Sequence, residues 1–357
     1  MNRLKMAVVG VGALGRHHAR ILSELDEADL VAVAETNPAI GQKVALDCGT
    51  RWVTDYRELL DEIDAVSIVV PTSAHLDVAS EFLMRRIPVL VEKPLAQNLD
   101  DAETLVSLSQ RHGTLMQVGH VERFNPATEV AVANCGNPKY IRGERLSPYA
   151  FRSTDIGAIH DLMIHDIELV LHLAQSAVRR VEALGVSILG GNEDSVQARV
   201  TFESGCIADL TASRVHPSSR RAMQIWSEDN TLTVDFHSRE VIRYTPSETL
   251  RYGTPVPERA KQPGANVEQL KQDVFGKFLH VEQLAVPQQD ALTEELRSFI
   301  DCVQHDKTPR VGAREALQAM QLAEQIRDSV TTHAWDGHAG GAVGPFFNRP
   351  REQKRAA

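Results

Sequence analysis

Three residue types in this chain are spaced as if to move a proton while a carbon is oxidised: a lysine, an aspartate and a histidine. Lys93 closes the run Val89-Leu90-Val91-Glu92-Lys93-Pro94, where an ammonium at the end of a strand can polarise a developing alkoxide. A cis Pro94 would fix that turn and hold the ammonium in one direction. Asp161 and His165 lie four residues apart, so a helix sets them on one face, one turn apart. An imidazole titrates near neutrality and can accept a hydroxyl proton as a hydride leaves the same carbon, which makes His165 the natural general base. Asp161 would orient the ring and stabilise its charged form, and Lys93 would help to discharge the proton. A metal site is the rival use of Asp161 and His165, with His120 or His216 as third ligand. Hydride transfer with a lysine at hand needs no metal, so none is expected.

The polar pair belongs to a longer stripe. Asp161, His165, Glu168 and His172 recur at steps of four, three and four. Ile159, Leu162, Met163, Ile164, Ile167, Leu169, Val170, Leu171 and Leu173 cover most of the remaining circumference. A helix so apolar should be buried, and buried carboxylates and imidazoles without partners are costly. The stripe therefore faces a cleft or is satisfied by a network; the alternative is the solvated face of an amphipathic helix.

A hydride needs an acceptor, and the amino terminus supplies a seat for one. Val8-Val9-Gly10-Val11-Gly12-Ala13-Leu14-Gly15 follows an apolar run from Leu4, and Glu35 ends a second apolar run, Leu30 to Ala34. Strand before, helix after and an acid about twenty residues on make this a dinucleotide fingerprint. Gly10 permits the tight turn, Gly12 lets the backbone approach a pyrophosphate, Gly15 lets the helix pack on the sheet, and the helix amino terminus faces the phosphates. Gly10, Gly12, Ala13, Leu14 and Gly15 are thus cofactor candidates. Glu35 can accept from ribose hydroxyls, and no Arg or Lys follows until Lys43. NAD is favoured over NADP. Pro71, Thr72 and His75, in Pro71-Thr72-Ser73-Ala74-His75, close the preceding strand and should border the cofactor with Glu92 and Lys93; His75 could equally be a helix-start residue.

The elements that hold these residues read as α/β. From Leu4 to about His120, β-rich runs (Leu30 to Glu35, Ala65 to Pro71, Val89 to Glu92, Leu115 to Gly119) alternate with helical segments. The pattern is a doubly wound parallel sheet of the Rossmann type. Asn37-Pro38 opens one helix; another begins at Asp100 and runs to about Arg111, with Gly113 beyond it. After Phe124 the period becomes two: Val196, Ala198, Val200 and Phe202, then Leu232, Val234 and Phe236, alternate with polar residues. Glu203-Ser204-Gly205 and Glu228-Asp229-Asn230 are turns. The second domain should be α+β, a large, mostly antiparallel sheet with helices on one side and an open face suited to self-association. Expected bounds are 1–122 for the NAD-binding domain, 123–332 for a substrate and oligomerisation domain, and 333–357 for a flexible tail. Pro246 to Gln289 reads as irregular, and helices near Thr293 to His305 and Arg314 to Thr331 close the second domain.

Composition narrows the partners. In 357 residues, 38 Lys and Arg against 48 Asp and Glu leave a net charge of -10, so neither nucleic acid nor an anionic membrane should attract the chain. Cys48, Cys135, Cys206 and Cys302 have no CxxC spacing, which fits reduced thiols. No signal peptide and no run of membrane-spanning length is apparent, so a cytoplasmic homodimer or homotetramer is expected.

GVGALGRHHAR, VEKP, VGHVERFNPA (Val118 to Ala127) and the D-x-x-x-H helix together resemble the glucose-fructose oxidoreductase and inositol dehydrogenase family (Gfo/Idh/MocA), over about residues 4 to 332. The resemblance implies a Rossmann domain followed by a large antiparallel sheet, tightly bound NAD(P), and Lys93, Asp161 and His165 as active-site residues. One departure is Met163, where a Gly two residues before the active-site His is common in the family. Within the family, VGHVERFNPA and HDLMIHDIELVL are most similar to bacterial members that oxidise the 3-hydroxyl of UDP-N-acetylglucosamine for later transamination, on a route to a 2,3-diamino sugar of lipid A. A diphosphate substrate requires cations. Arg123, Arg152 and Arg214 are the candidates, with Arg145, Arg220 and Arg221 also in the second domain, and Asn125 and Tyr149 as further substrate contacts. Inositol, a free sugar or a UDP-hexuronic acid are alternative substrates, and a non-catalytic NAD sensor is the alternative class.

Overall fold

The computed structural model describes residues 3–151, 156–335, 338–339 and 341–345. Contacts along the chain divide it into two units, residues 1–124 with 289–322, and residues 125–288 with 323–357.

The first unit is built on six parallel strands: β1 (Leu4–Val9), β2 (Ala28–Ala34), β3 (Arg51–Val53), β4 (Ala65–Ile68), β5 (Val89–Glu92) and β6 (Met116–Gly119), ordered β3-β2-β1-β4-β5-β6. Strands β4, β5 and β6 are buried at every position, as strands covered on both faces must be. The order reverses direction between β1 and β4, so the carboxyl ends of those two strands are where a ligand crevice forms in such a sheet. Four helices connect the strands: α1 (Gly15–Glu24), α2 (Pro38–Cys48), α3 (His75–Met84) and α4 (Leu99–His112). Asn37 caps α2 by accepting from the Ala39 and Ile40 amides, with Pro38 in the first turn, and Gly49 ends it in the left-handed conformation. Helix α4 starts one residue earlier than expected because Asn98 takes the Asp101 amide at 2.9 Å, and it stops at Gly113 (φ 63°).

In the second unit an eight-stranded sheet contains β7 (Pro138–Leu146), β8 (Val178–Val186), β9 (Ser195–Phe202), β10 (Ile207–Ser213), β11 (Arg220–Ser227), β12 (Thr231–Asp235), β13 (Glu240–Pro246) and the edge strand β14 (Leu279–Leu284), in the order β14-β13-β12-β11-β7-β10-β9-β8. Only β7 and β10 run parallel. Ala198, Val200 and Phe202 are buried while Gln197 and Arg199 are exposed, the period of two that the sequence shows. Helices α5 (Pro126–Asn134) and α6 (Ile164–Ala174) pack on the sheet, α5 over β12 and β13, and α6 over β7 and β10.

Two expectations change here. The segment 246–289 is not irregular: it forms α7 (Glu248–Tyr252), α8 (Val256–Arg259), α9 (Val267–Asp273) and the edge strand β14 (Leu279–Leu284), paired antiparallel with β13. Strand β14 is mostly exposed, so it carries no hydrophobic period, and the free edge of β13 orders it. Second, α10 (Ala291–His305) and the start of α11 (Ala313–Thr332) pack on the parallel sheet instead of the second domain. Leu296, Phe299 and Ile300 of α10 join the core with Val8, Leu22 and Leu90, and Ala316 and Met320 of α11 join Phe82 and Val118. Burial of a side chain the size of Phe299 contributes about 2 to 3 kcal/mol. Helical periodicity shows that α10 has an apolar face; which sheet receives it is a matter of shape.

Candidate active site

The loop after β1 is shaped by missing side chains. Gly10 has φ 84°, and a Cβ there would sit 2.7 Å from the Val69 carbonyl oxygen. A Cβ on Gly15 would lie 1.9 Å from the Gly10 carbonyl oxygen, so α1 starts in direct backbone contact with the turn. Gly12 is different: a Cβ there would meet nothing within 4 Å. Leu14 precedes α1 with no side-chain cap; the Arg16 and His17 amides donate to Gly12 O and Leu14 O, so an anion would meet the turn from Gly12 to Gly15. Glu35 at the end of β2 accepts from the Val11 amide and the Asn37 amide, both at 3.0 Å, and so ties the glycine loop to β2. Beside it a cavity of about 230 Å³ is lined by Gly10, Glu35, Thr36, Tyr56, Pro71 and Ala74, among others. Its side chains carry no cation for a 2′-phosphate. These residues fit NAD: open space at Gly12, a helix start with no side-chain cap after it and a carboxylate at the end of β2. Pro71 lines the same space; Thr72, next to it, is half-buried.

His75 does not line that space. It is 1% exposed, and its ring contacts only backbone carbonyls: Nδ1 lies 3.0 Å from Pro94 O and 3.2 Å from Leu95 O, and Nε2 lies 3.0 Å from Val70 O. The ring braces the turn after Lys93, whose bond to Pro94 is cis as anticipated. Burial, opposed by those carbonyls, lowers the imidazole's affinity for a proton. Glu92 also turns inward. It is 8% exposed; Oε1 stands 3.2 Å from His18 Nε2, and Oε2 accepts from the Lys93 amide at 3.2 Å.

Lys93 itself is half-buried at the carboxyl end of β5. His120, just past the neighbouring β6, is fully buried; burial first, then the charges of Lys93 and Arg123, push its imidazole down to about 3. A neutral imidazole within the field of Lys93 escaped sequence reasoning, which weighed His120 only as a metal ligand. The signal was available in the pattern itself: β5 and β6 are adjacent parallel strands, so their terminal residues are neighbours.

In the second unit the stripe begins in a π-helical turn, Ile159–Met163, that runs into α6. Its start is held by Glu193, whose Oε1 accepts from the Ile159 amide at 3.2 Å and whose carboxylate lies where a Cβ on Gly157 would be. A π turn rotates Asp161 relative to His165 by less per residue than an α-helix does, an irregularity frequent at functional sites. Asp161 and Glu168 are buried, His165 and His172 half-buried, and each is engaged by a neighbouring group. The stripe is buried or half-buried along its length and is not a solvated face. Met163 is fully buried within the π turn.

The expected substrate contacts fare unevenly. Arg214 is 5% exposed and committed to structure: Nε donates to Asp194 Oδ1 at 2.7 Å, Nη1 donates to Ile156 O at 2.7 Å, and its guanidinium lies over the Tyr149 ring. Asp194 in turn accepts from the Ile188 and Leu189 amides, so the pair closes a loop. Arg145 is likewise spent on Asp166, through Nε at 3.2 Å and Nη2 at 2.8 Å, pinning α6 to β7. Asn125 caps α5 by accepting from the Ala127 amide and donates to Phe236 O, a structural role. Arg123 donates to Arg310 O at 3.2 Å. Arg152 lies outside the described residues. Among the described residues, no group of three His, Cys, Asp or Glu side chains is placed to hold a metal ion, and no helix is long and apolar enough to cross a membrane.

With this geometry in place, comparison with known proteins gives consistent results. The model of an oxidoreductase family with an NAD-binding Rossmann fold matches residues 4–120, and that of the GFO/IDH/MocA C-terminal domain matches residues 129–233. A UDP-N-acetylglucosamine 3-dehydrogenase of Acidithiobacillus ferrooxidans is 36% identical over 237 residues, 66% of this chain and 75% of its own length. A scyllo-inositol 2-dehydrogenase (NAD(+)) of Bacillus subtilis is 29% identical over 235 residues, 60% of this chain and 69% of its own. Among solved structures, the UDP-N-acetylglucosamine 3-dehydrogenase GnnA of A. ferrooxidans superposes with a TM-score of 0.81 at 30% identity, covering 92% of this chain and 98% of that one. A parallel six-stranded sheet with a glycine-loop seat for NAD, a lysine at the end of its fifth strand and a large, mostly antiparallel second sheet place the chain in the GFO/IDH/MocA oxidoreductase family of NAD-dependent dehydrogenases.

Proposed function

We propose that this dehydrogenase oxidises the 3-hydroxyl of UDP-N-acetylglucosamine to the 3-keto sugar and feeds a 2,3-diamino sugar for lipid A. The likeness to the A. ferrooxidans enzyme, 36% identical over 237 residues, carries the substrate assignment. NAD, when bound, supplies the hydride acceptor. His165 accepts the hydroxyl proton; Asp161, four residues earlier, orients the ring and stabilises its charged form; Lys93 polarises the oxygen as its charge develops. A half-buried imidazole and a half-buried ammonium suit those roles, because partial desolvation strengthens their action on a bound hydroxyl. Of the cations first considered for the diphosphate, Arg123 and Arg152 stay in the proposal, with Tyr149 as an aromatic contact; Arg214 leaves it. The open face of the second sheet is the proposed surface for a homodimer or homotetramer, which light scattering after gel filtration would measure.

The direct test supplies NAD and UDP-N-acetylglucosamine and traps the ketone with an aminotransferase and glutamate. Trapped amino sugar is the expected result; turnover of inositol or a free sugar in its place would transfer the assignment to the second reading, which the 29% identical inositol enzyme favours. UDP alone should compete with the nucleotide sugar and would leave a free-polyol enzyme untouched. Lys93→Ala and His165→Ala are each expected to lower kcat by about 100-fold or more while NAD affinity stays within about twofold. Wild-type turnover in both variants would remove Lys93 and His165 from the mechanism.

A further inference from the structure

Beneath the cofactor seat lies a chain of polar side chains that neither NAD binding nor proton transfer uses. Ser67 on β4 lies 2.9 Å from His18 Nδ1, and His18 Nε2 lies 3.2 Å from Glu92 Oε1, at ion-pair distance without the alignment of a hydrogen bond. Ser67 and His18 are wholly buried. Glu92 Oε2 takes the Lys93 amide. The arrangement is built in: Gly119 on β6 has no side chain where a Cβ would sit 2.7 Å from Glu92 Oε1. Beyond Glu92, Glu295 of α10 is also wholly buried, with neither carboxylate oxygen hydrogen-bonded.

Such a row is expensive. Its members have left water for few polar partners, Glu295 for no hydrogen bond at all, and apolar residues of the same volume are often at least as stabilising in a core. What the row does is mechanical and electrostatic. His18 stands on α1 three residues after Gly15, in the helix whose uncapped amino terminus suits the pyrophosphate; Glu92 grips the peptide that carries Lys93. We propose that His18 is a positioning residue for Lys93, acting through Glu92: it fixes the carboxylate that holds the Lys93 amide and thereby links the dinucleotide helix to the lysine. With Ser67 as a donor to Nδ1, the ring N–H lies on Nε2, which stands 3.2 Å from Glu92 Oε1 at ion-pair distance. Burial, then the charge of Glu92, pushes the Glu295 carboxyl well above its usual range.

This inference rests on the reading of Lys93 as the group that polarises the hydroxyl, and the test separates the two. Steady-state kinetics, NAD titration and thermal unfolding are run on the full chain for His18→Leu, His18→Gln, Glu92→Gln and Lys93→Ala. His18→Leu and Glu92→Gln are expected to lower kcat about 10- to 100-fold, as misplacement of a reacting group does, with the NAD dissociation constant within about twofold. His18→Gln, whose amide can still donate to Glu92, should recover most of that loss. The inference is overturned if Lys93→Ala is inactive yet His18→Leu, folded at the assay temperature, keeps wild-type kcat. It is overturned equally if His18→Gln and His18→Leu lose kcat alike, since a merely structural histidine offers no reason for rescue by a hydrogen-bond donor. Full activity of Lys93→Ala defeats the lysine reading itself, whatever the histidine variants do.

Discussion

The glycine loop after β1 and the arginines of the second unit were both read as ligand contacts, and the structure treats them in opposite ways. The loop is what its spacing says: Gly10 in a positive-φ turn, Gly15 in backbone contact with that turn, and open space at Gly12. Of the arginines, Arg145 and Arg214 are absorbed into buried ion pairs with Asp166 and Asp194. The difference lies in what each feature depends on. A glycine acts through what it lacks, and the consequence falls on its own backbone within a few residues. A guanidinium acts through its partners, and those stand 20 or 21 residues away in the chain, where only the folded sheet brings them close.

The largest effects should come from breaking the arginine pairs. Arg214→Ala strands the wholly buried Asp194, and a loss of about 3 to 5 kcal/mol of stability is expected by urea unfolding, as for a buried ion pair cut on one side. A variant that kept its stability and instead raised KM for the nucleotide sugar would return Arg214 to the substrate site and remove the contrast. Gly15→Ala comes next: a Cβ 1.9 Å from a carbonyl oxygen has to displace backbone, at about 1 to 3 kcal/mol, together with loss of NAD binding. Gly12→Ala sharpens the comparison, because the new methyl meets no protein atom. Its melting temperature should match the parent, while NAD affinity measured by calorimetry falls about 10-fold. Equal destabilisation by both substitutions would mean that Gly12 too serves packing.

The smallest effect concerns Glu295. A carboxyl held above its usual range in the folded state stabilises while protonated, and that contribution is lost as pH rises through the folded-state value. Glu295→Gln, permanently neutral, should melt with the parent near about pH 4 and increasingly above it toward about pH 8, by calorimetry at matched ionic strength. A constant difference across that window would show that Glu295 titrates as it does in the unfolded chain.

Much of the frame was legible. Alternating strands and helices to about His120 and the period of two in Val196 to Phe202 record which faces are buried, and those patterns are local. Less legible were elements whose order comes from a neighbour: β14, exposed and recruited by the edge of β13, and the π turn at Ile159–Met163, held by Glu193 from a distant loop. The polar stripe was visible as spacing, but its rotation at Asp161 was not, since a five-residue π turn is too short to leave a period of its own in the sequence. His75 and Glu92 read from the sequence as neighbours of the cofactor. Both face the core and brace the Lys93 turn.

By itself the sequence determined the parallel sheet and the seat for NAD, because glycine spacing and strand alternation follow from backbone geometry within a few residues. Tertiary structure alone decided that α10 packs on the first sheet, that Arg145 and Arg214 are spent on buried carboxylates, and that His18, Glu92 and Glu295 form one row. Those outcomes depend on which side chains meet across the core, and for a buried charge the partner it meets sets whether it holds the fold together or remains to bind a ligand.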